Sequence, residues 1–398
     1  MELRTLLELE EHRKQHYRNI NEISIISSPC SFEYFFINHL KPNIPCIFDT
    51  WLTANWKAVK EWVKDDQIND DFMIKKFGDM NVPVANCSKI KYDSQEKIAM
   101  NFKSYFNYIK DTESNSIDDI LYLKDWHFQK ESNYDAYDLP IFFETDWMNE
   151  FWDKRDDEKD DYRFLYFGPK GSWTPFHSDV LRSYSWSANI CGKKKWIIFP
   201  PGEELKLMNG SRLPVDLRDS EKFEELKKNN SIKFFEVYQN SGQTIFVPSG
   251  WFHQVFNEVT TLSLNHNWTN ACGIDLLWKH LLYNLKLVEK EIDDCKDMDN
   301  WTDTCQAILK AETGMDFNIF EQFINTIYER RKRYLHQSFD ESKKTGEAKI
   351  YHHADLNKTD FIKLELKAIM IVLKEYELFN KKSVIDINEF KKLNIDIE

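Results

Sequence analysis

Glycine and proline are scarce, at 11 each in 398 residues, so no stretch can act as a long flexible or polyproline linker. Cysteine is sparse as well. Cys30, Cys46, Cys87, Cys191, Cys272, Cys295 and Cys305 are odd in number, scattered, and never spaced as CxxC. That excludes a disulfide framework and a structural zinc site of the paired-cysteine kind, and it suits a reducing compartment. Long apolar runs are missing too. Ala368–Leu373 is among the longest, far short of the ~18 residues a membrane span needs. The first twenty residues, MELRTLLELEEHRKQHYRNI, are charged throughout and lack the apolar stretch of a secretory leader. Positive charge is in deficit: 53 Lys and Arg against 66 Asp and Glu give a net charge of −13. Broad electrostatic binding to nucleic acid is therefore not expected. The expectation is a cytoplasmic protein, with nuclear presence allowed, bound neither to membrane nor directly to nucleic acid.

Aromatic residues are abundant, at 15% of a chain that is 42% hydrophobic. That is enough apolar area for a large core and excludes widespread disorder. The pattern changes twice along the chain. Residues 1–118 read as a mixed, mostly helical region, with a charged helix over 1–20, helical spacing after Ser31, over 55–64 and over 99–111, and short extended pieces at Pro45–Phe48 and Val82–Val84. From 119 to 270, short β-branched and aromatic runs follow one another: Ile120–Leu123, Arg163–Phe167, Tyr184–Ile190, Lys195–Phe199, Gln243–Val247, His253–Phe256 and Thr261–Trp268. Turn residues separate several of them, which predicts a β-sandwich or barrel in place of βαβ units. The charged stretch between Pro201 and Gln239 reads as a partly helical excursion. Residues 271–398 return to helical periodicity at Ile274–Lys290, Gln306–Glu312, Met315–Leu335 and Thr359–Phe379, with a polar loop at Ser338–Ala354. The fold class is α+β, a mainly β core with a helical shell before it and a helical region after it.

The segment Gly171-Ser-Trp-Thr-Pro-Phe-His-Ser-Asp179 carries the first chemical signal. Residues i and i+2 of a strand share a face, so His177 and Asp179 can aim an imidazole and a carboxylate at one point. A second histidine, His253, stands 74 positions beyond Asp179, where a strand resumes after Pro248-Ser-Gly250. Two histidines and one carboxylate make a facial triad that leaves metal positions open, as suits non-heme Fe(II); zinc is the competing ion. His266, inside a strand run, reads as structural. Lys194 opens an apolar strand, and alternation turns it away from Lys193 and Lys195. A cation at the mouth of a β core calls for an anion, and Thr174 and Tyr122 can donate hydrogen bonds beside it. The tryptophans Trp173, Trp186, Trp196, Trp251 and Trp268 read as core, and the acidic runs Asp156–Asp161 and Glu289–Asp299 as solvated faces. A secondary reading has one of those runs attract a basic substrate segment.

Three elements now stand together: T-P-x-H-x-D, W-x-x-N-x-C-G-x-K-K-W-x-x-F-P-P, and G-x-x-x-F-V-P-S-G-W-x-H-Q-V-x-N. In these the chain resembles the JmjC family of Fe(II)- and 2-oxoglutarate-dependent oxygenases, with the matching core from about Asp146 to Asn270. The resemblance implies a double-stranded β-helix of the jelly-roll, cupin-like kind. It implies His177, Asp179 and His253 as iron ligands, Lys194 as the partner of the distal carboxylate of 2-oxoglutarate, and Thr174 and Tyr122 as its hydrogen-bonding neighbours. Related hydroxylases often place Asn just after the tryptophan that is here Trp186; this chain has Ser187, a shorter donor assigned to the same pocket, together with Asn267. Further segments, among them Leu121-Tyr-Leu-Lys-Asp-Trp-His127 and Asp146-Trp-Met-Asn-Glu-Phe-Trp152, resemble the branch that hydroxylates a lysyl side chain of the translation termination release factor. The implied reaction consumes dioxygen and 2-oxoglutarate and releases succinate. Histone lysine demethylation and a non-catalytic scaffold are the alternatives. The intact triad and Lys194 weigh against the scaffold, and the absence of a zinc-binding reader or basic tail weighs against the demethylase.

Overall fold

The computed structural model describes residues 11, 13–91, 94–114, 119–155, 161–210, 212–339, 358–380, 384–393 and 395. Most of the Asp156–Asp161 run, most of the Ser338–Ala354 loop and the first ten residues lie outside them. Two sheets face each other. The larger joins nine strands in the order β1 (Ser24–Ile26), β2 (Cys46–Phe48), β13 (Thr244–Val247), β10 (Tyr184–Cys191), β15 (Thr261–Trp268), β8 (Arg163–Gly168), β7 (Leu121–Trp126), β5 (Asn81–Lys91) and β6 (Ser94–Asn101). The smaller joins β12 (Phe235–Gln239), β11 (Lys194–Phe199), β14 (Phe252–Asn257) and β9 (Trp173–His177). A two-stranded hairpin, β3 (Val63–Lys64) with β4 (Gln67–Ile68), stands apart. The result is an α+β jelly-roll.

Strand alternation sorts the side chains into distinct layers. On β10, Tyr184, Trp186 and Ala188 face outward and join a core with Phe35, Phe48, Trp56 and Phe143 of the preceding shell. On the smaller sheet, Ile197, Phe199, Phe252 and Phe256 face outward under Leu207, Leu217 and Phe223 of the 201–234 excursion. Between the sheets, Trp196, Ile198 and Val255 meet Ile245, Val247 and Ile47. The five tryptophans read as core are all buried.

The structure corrects three details of the sequence reading. The first 118 residues supply strands to both edges of the larger sheet, including the long β5–β6 hairpin, of which only Val82–Val84 had an apolar signature. The excursion after Pro201 ends in a strand, β12, whose Phe-Glu-Val-Tyr-Gln alternation fits a sheet edge. The metal-motif strand β9 stops at His177, and Asp179 lies just beyond it, held extended at φ −59°, ψ 148°.

The C-terminal lobe is built from helices Ile274–Glu291, Trp301–Thr313, Phe317–Phe339, Lys358–Asn380 and Ile387–Lys392. It shares one apolar core with the helix Trp147–Trp152. Arg331, fully buried, crosses that boundary. It donates to Glu365 at 2.9 Å and Glu150 at 2.8 Å, while Trp147 Nε1 donates to Glu365 at 2.7 Å. Breaking one partner would strand a buried charge, so the latch fixes the lobe's position. At the other end, Arg13 donates to Asp275 at 2.7 Å. All seven cysteines are free. Among the described residues no helix is long and apolar enough to cross a membrane.

Candidate metal centre

The inner face of β10 and β15 is unlike the rest of the interior. Where β13 presents Ile245 and Val247, β10 presents Ser185, Ser187 and Asn189, and β15 presents Ser263, Asn265 and Asn267. Small polar side chains leave room there and supply hydrogen-bonding groups. His177 and His253 face each other across the β9–β14 pair, ring centroids 4.4 Å apart. Each Nδ1 lies against a backbone carbonyl, His177 against Pro175 O at 2.7 Å and His253 against Trp251 O at 3.0 Å. A carbonyl only accepts, so each Nδ1 carries the hydrogen and each Nε2 keeps its lone pair free. Burial, reinforced by the neighbouring His253, holds His177 down to about 4, so it is neutral and able to ligate at neutral pH.

Asp179 is tethered on both oxygens. Oδ2 accepts from Ser185 Oγ at 2.8 Å, and Oδ1 accepts from Asn267 Nδ2 at 3.0 Å. The donor atoms of His177, Asp179 and His253 lie within 4.8 Å of one another, and among the described residues no other trio of His, Cys, Asp or Glu does so. A set of two nitrogens and one oxygen, without sulfur and with coordination positions left open, fits a non-heme iron.

Lys194 points inward and is 2% exposed, whereas Lys193 is exposed beside Tyr238 and Lys195 pairs with Glu236 at 3.1 Å. Its one hydrogen bond goes to Ser263 Oγ at 2.6 Å, and no carboxylate among the described residues pairs with it. Desolvation lowers it to about 7. A buried ammonium without a counter-charge is a costly arrangement unless an anion joins it. Thr174 Oγ1 is buried with no partner among the described residues, as is Asn257 Oδ1. Tyr122 is 2% exposed, its phenol raised by burial. Lys194 pairs with Asn257 across β11–β14, and Ile198, four residues on, pairs with His253. That separation is about 13 Å along the strand, with both side chains on the inner face. The unpaired cation and the orphaned hydroxyl together fit 2-oxoglutarate.

The remaining expected residues are placed differently. Ser187 Oγ donates to Asn265 Oδ1 at 3.0 Å, within a chain that runs through Ser263 to Lys194. The Asn267 amide is engaged by Asp179 and by Ser183 Oγ at 3.1 Å, so it orients a ligand. His266 faces outward against Asp146 at 2.8 Å, a structural histidine. Sequence reasoning missed Ser185, Ser263 and Asn265, although the alternation Ser-Leu-Asn-His-Asn over 263–267 carried the signal. It also missed Lys124, which is 8% exposed, is lowered by burial, and has no hydrogen bond or ion pair among the described residues.

The chain matches the Cupin-like domain family over residues 33–274. It is 41% identical to the 2-oxoglutarate and iron-dependent oxygenase JMJD4 of Danio rerio, over 84% of this chain and 81% of the relative. It is 44% identical to JMJD4 of Gallus gallus, over 80% and 78%. The chain belongs to the JMJD4 family of 2-oxoglutarate and iron-dependent oxygenases. A more distant relative is the arginine-specific demethylase JMJ20 of Arabidopsis thaliana, 38% identical over 74% of this chain and 67% of the relative. With about four-fifths of the chain covered, the likeness extends well beyond the short motifs.

Proposed function

We propose that this protein is an Fe(II)- and 2-oxoglutarate-dependent lysyl hydroxylase of the translation termination release factor, acting in the cytoplasm. The observation that carries the oxygenase reading is the buried Lys194, without a carboxylate partner among the described residues, on the same polar inner face as the His177, Asp179 and His253 triad. The lysyl and release-factor assignments are supported by the resemblance in Leu121–His127 and Asp146–Trp152. When bound, iron with 2-oxoglutarate and dioxygen supplies oxidative decarboxylation coupled to conversion of a substrate C–H into C–OH.

The protein's own groups prepare that chemistry. His177 and His253 offer Nε2, held in the ligating tautomer by Pro175 O and Trp251 O. Ser185 and Asn267 fix the Asp179 carboxylate. Lys194, Thr174 and Tyr122 hold the distal carboxylate, with Ser187 and Asn265 behind them. Trp196, Ile198 and Val255 form a buried apolar layer beside the histidines, Trp196 with its ring 5.5 Å from that of His253.

Pure protein incubated with Fe(II), 2-oxoglutarate and recombinant release factor should add one oxygen atom to the factor, read by intact mass and localised to a lysine by fragmentation. Demethylation is the second reading, favoured by the relative JMJ20. It predicts loss of a methyl group and release of formaldehyde from a methylated peptide. Succinate with neither product would defeat the lysyl and release-factor assignment and leave the oxygenase reading standing.

A further inference from the structure

Between Asp179 and β10 the chain makes a tight turn, Val180–Arg182. Leu181 (φ 54°) and Arg182 (φ 52°) both occupy the left-handed region, and neither is glycine. One such residue is uncommon, and a pair immediately after a metal-ligand candidate persists only if its surroundings impose it. Two sets of contacts do so. On one side, Leu181 is 1% exposed and belongs to the apolar core of the C-terminal lobe with Ile274, Leu277 and Trp278. The turn packs directly on the helix Ile274–Glu291. On the other side, Ser249 Oγ donates to Arg182 O, while Asn43 binds the Ser249 amide at 3.1 Å and its carbonyl at 2.9 Å. The Arg182 guanidinium lies over Phe252, next to His253, at 5.1 Å.

The turn that follows one ligand is therefore clamped between the helical lobe and the turn that precedes another. Ser185 and Asn267 can restrain the Asp179 carboxylate, but they cannot hold a backbone that relaxes out of the left-handed region two residues away. We infer that Leu181 is a positioning residue, through which the C-terminal lobe sets the Asp179 carboxylate for the metal. The inference rests on the reading of His177, Asp179 and His253 as metal ligands. It gives the lobe a role in the site although none of its side chains is a ligand.

The test uses the full chain and Co(II) as the probe, with its affinity read from the visible ligand-field bands and stability read from thermal unfolding without metal. Leu181→Ala should weaken Co(II) by about tenfold or more, the range for residues that orient a ligand. Leu181→Met, which conserves volume, should restore affinity to within about threefold. Leu309→Ala, in the same core on the helix Trp301–Thr313 and 0% exposed, should lower the melting temperature and leave the Co(II) affinity as in the wild type. If Leu181→Ala fails to fold, Leu181→Gly replaces it, because glycine accepts the positive φ while removing the anchor. Wild-type affinity in whichever of these two folds overturns the inference, and so does an equal loss in Leu309→Ala. A wild-type chain that binds no Co(II) overturns the metal reading and this inference together. That outcome differs from failure of the inference alone, in which the wild type binds and the variants match it.

Discussion

The two faces of β10 divide the work of the molecule between them. Outward, Tyr184, Trp186 and Ala188 pack among the aromatic side chains of the N-terminal shell. Inward, Ser185, Ser187 and Asn189 contribute almost no apolar burial and instead hydrogen-bond to Asp179, Asn265 and the backbone. A single strand of eight residues thus holds the fold on one side and the site on the other. Stability and chemistry should separate when the two faces are substituted one at a time.

The largest effect should come from the inward side. His177→Ala and Asp179→Ala should abolish succinate release and product hydroxylation while changing stability by less than about 1 kcal/mol. Removing one of three protein donors leaves too few to hold the ion against water, whereas the apolar layers on either side keep their packing. Circular dichroism melting paired with a succinate assay checks both halves. Gross unfolding would instead mark the metal as structural.

Trp186→Ala should do the reverse. Its ring is fully buried against Trp56, Tyr137 and Phe143. Its truncation should cost about 3–5 kcal/mol, read in denaturant unfolding, while metal affinity of the protein that remains folded stays within a few-fold of wild type. If the metal site failed in proportion to stability, the two faces would not be separable.

Lys194 is where the division breaks, because it is an inward residue that harms the ligand-free fold. Lys194→Ala should weaken 2-oxoglutarate by about a hundredfold, the scale of lost charge-assisted hydrogen bonds; Lys193→Ala should change it less than about twofold. Lys194→Met should stabilise the ligand-free protein. The pH dependence has a definite sign. Lys194 is lowered to about 7 in the folded chain from an ordinary 10.5. Between those values the unfolded chain binds more protons, so ligand-free stability rises with pH across that window, and Lys194→Met removes that part of the slope. Binding of 2-oxoglutarate requires the ammonium, so its affinity should fall as pH rises above about 7. Titrations of wild type and Lys194→Met at pH 7 and pH 9 read both trends.

How much of this was legible beforehand follows from the same alternation. The triad and Lys194 were readable because their residue types are chemically distinctive and because strand alternation turns His177, His253 and Lys194 inward, with Asp179 just past the end of its strand. The outward aromatic positions were readable as core for the complementary reason. Ser263 and Asn265 were harder: the alternation over 263–267 marks a polar face, but only the partner across the sheet shows that this face is the inner one. The β5–β6 hairpin was hidden by its solvent-facing half: Ser88–Lys91 and Glu96–Ile98 are exposed and carry no inward apolar pattern. The strain at Leu181 and Arg182 was invisible for a different reason. Neither residue favours a left-handed backbone, and what imposes it is packing from distant parts of the chain, the lobe against Leu181 and Ser249 against Arg182.

The smallest effect sharpens the comparison most, because it concerns inward residues that touch neither metal nor cosubstrate. Asn267 and Ser185 each donate one hydrogen bond to Asp179, at 3.0 and 2.8 Å, on different oxygens. Each tether alone leaves the carboxylate free to swing about the other. Asn267→Ala and Ser185→Ala should therefore each weaken metal affinity by about tenfold, the low end for residues that orient a ligand. Asn267→Ala also removes the donor to Ser183 Oγ and should cost slightly more stability than Ser185→Ala. The two tethers act on one group, so their effects should not add: once either is gone, the second restrains a carboxylate that is already mobile, and the double variant should lose less than the product of the single losses. Metal titration of the four proteins of the cycle measures that coupling. Strict additivity would mean that the two inner hydrogen bonds act on the metal site independently of each other.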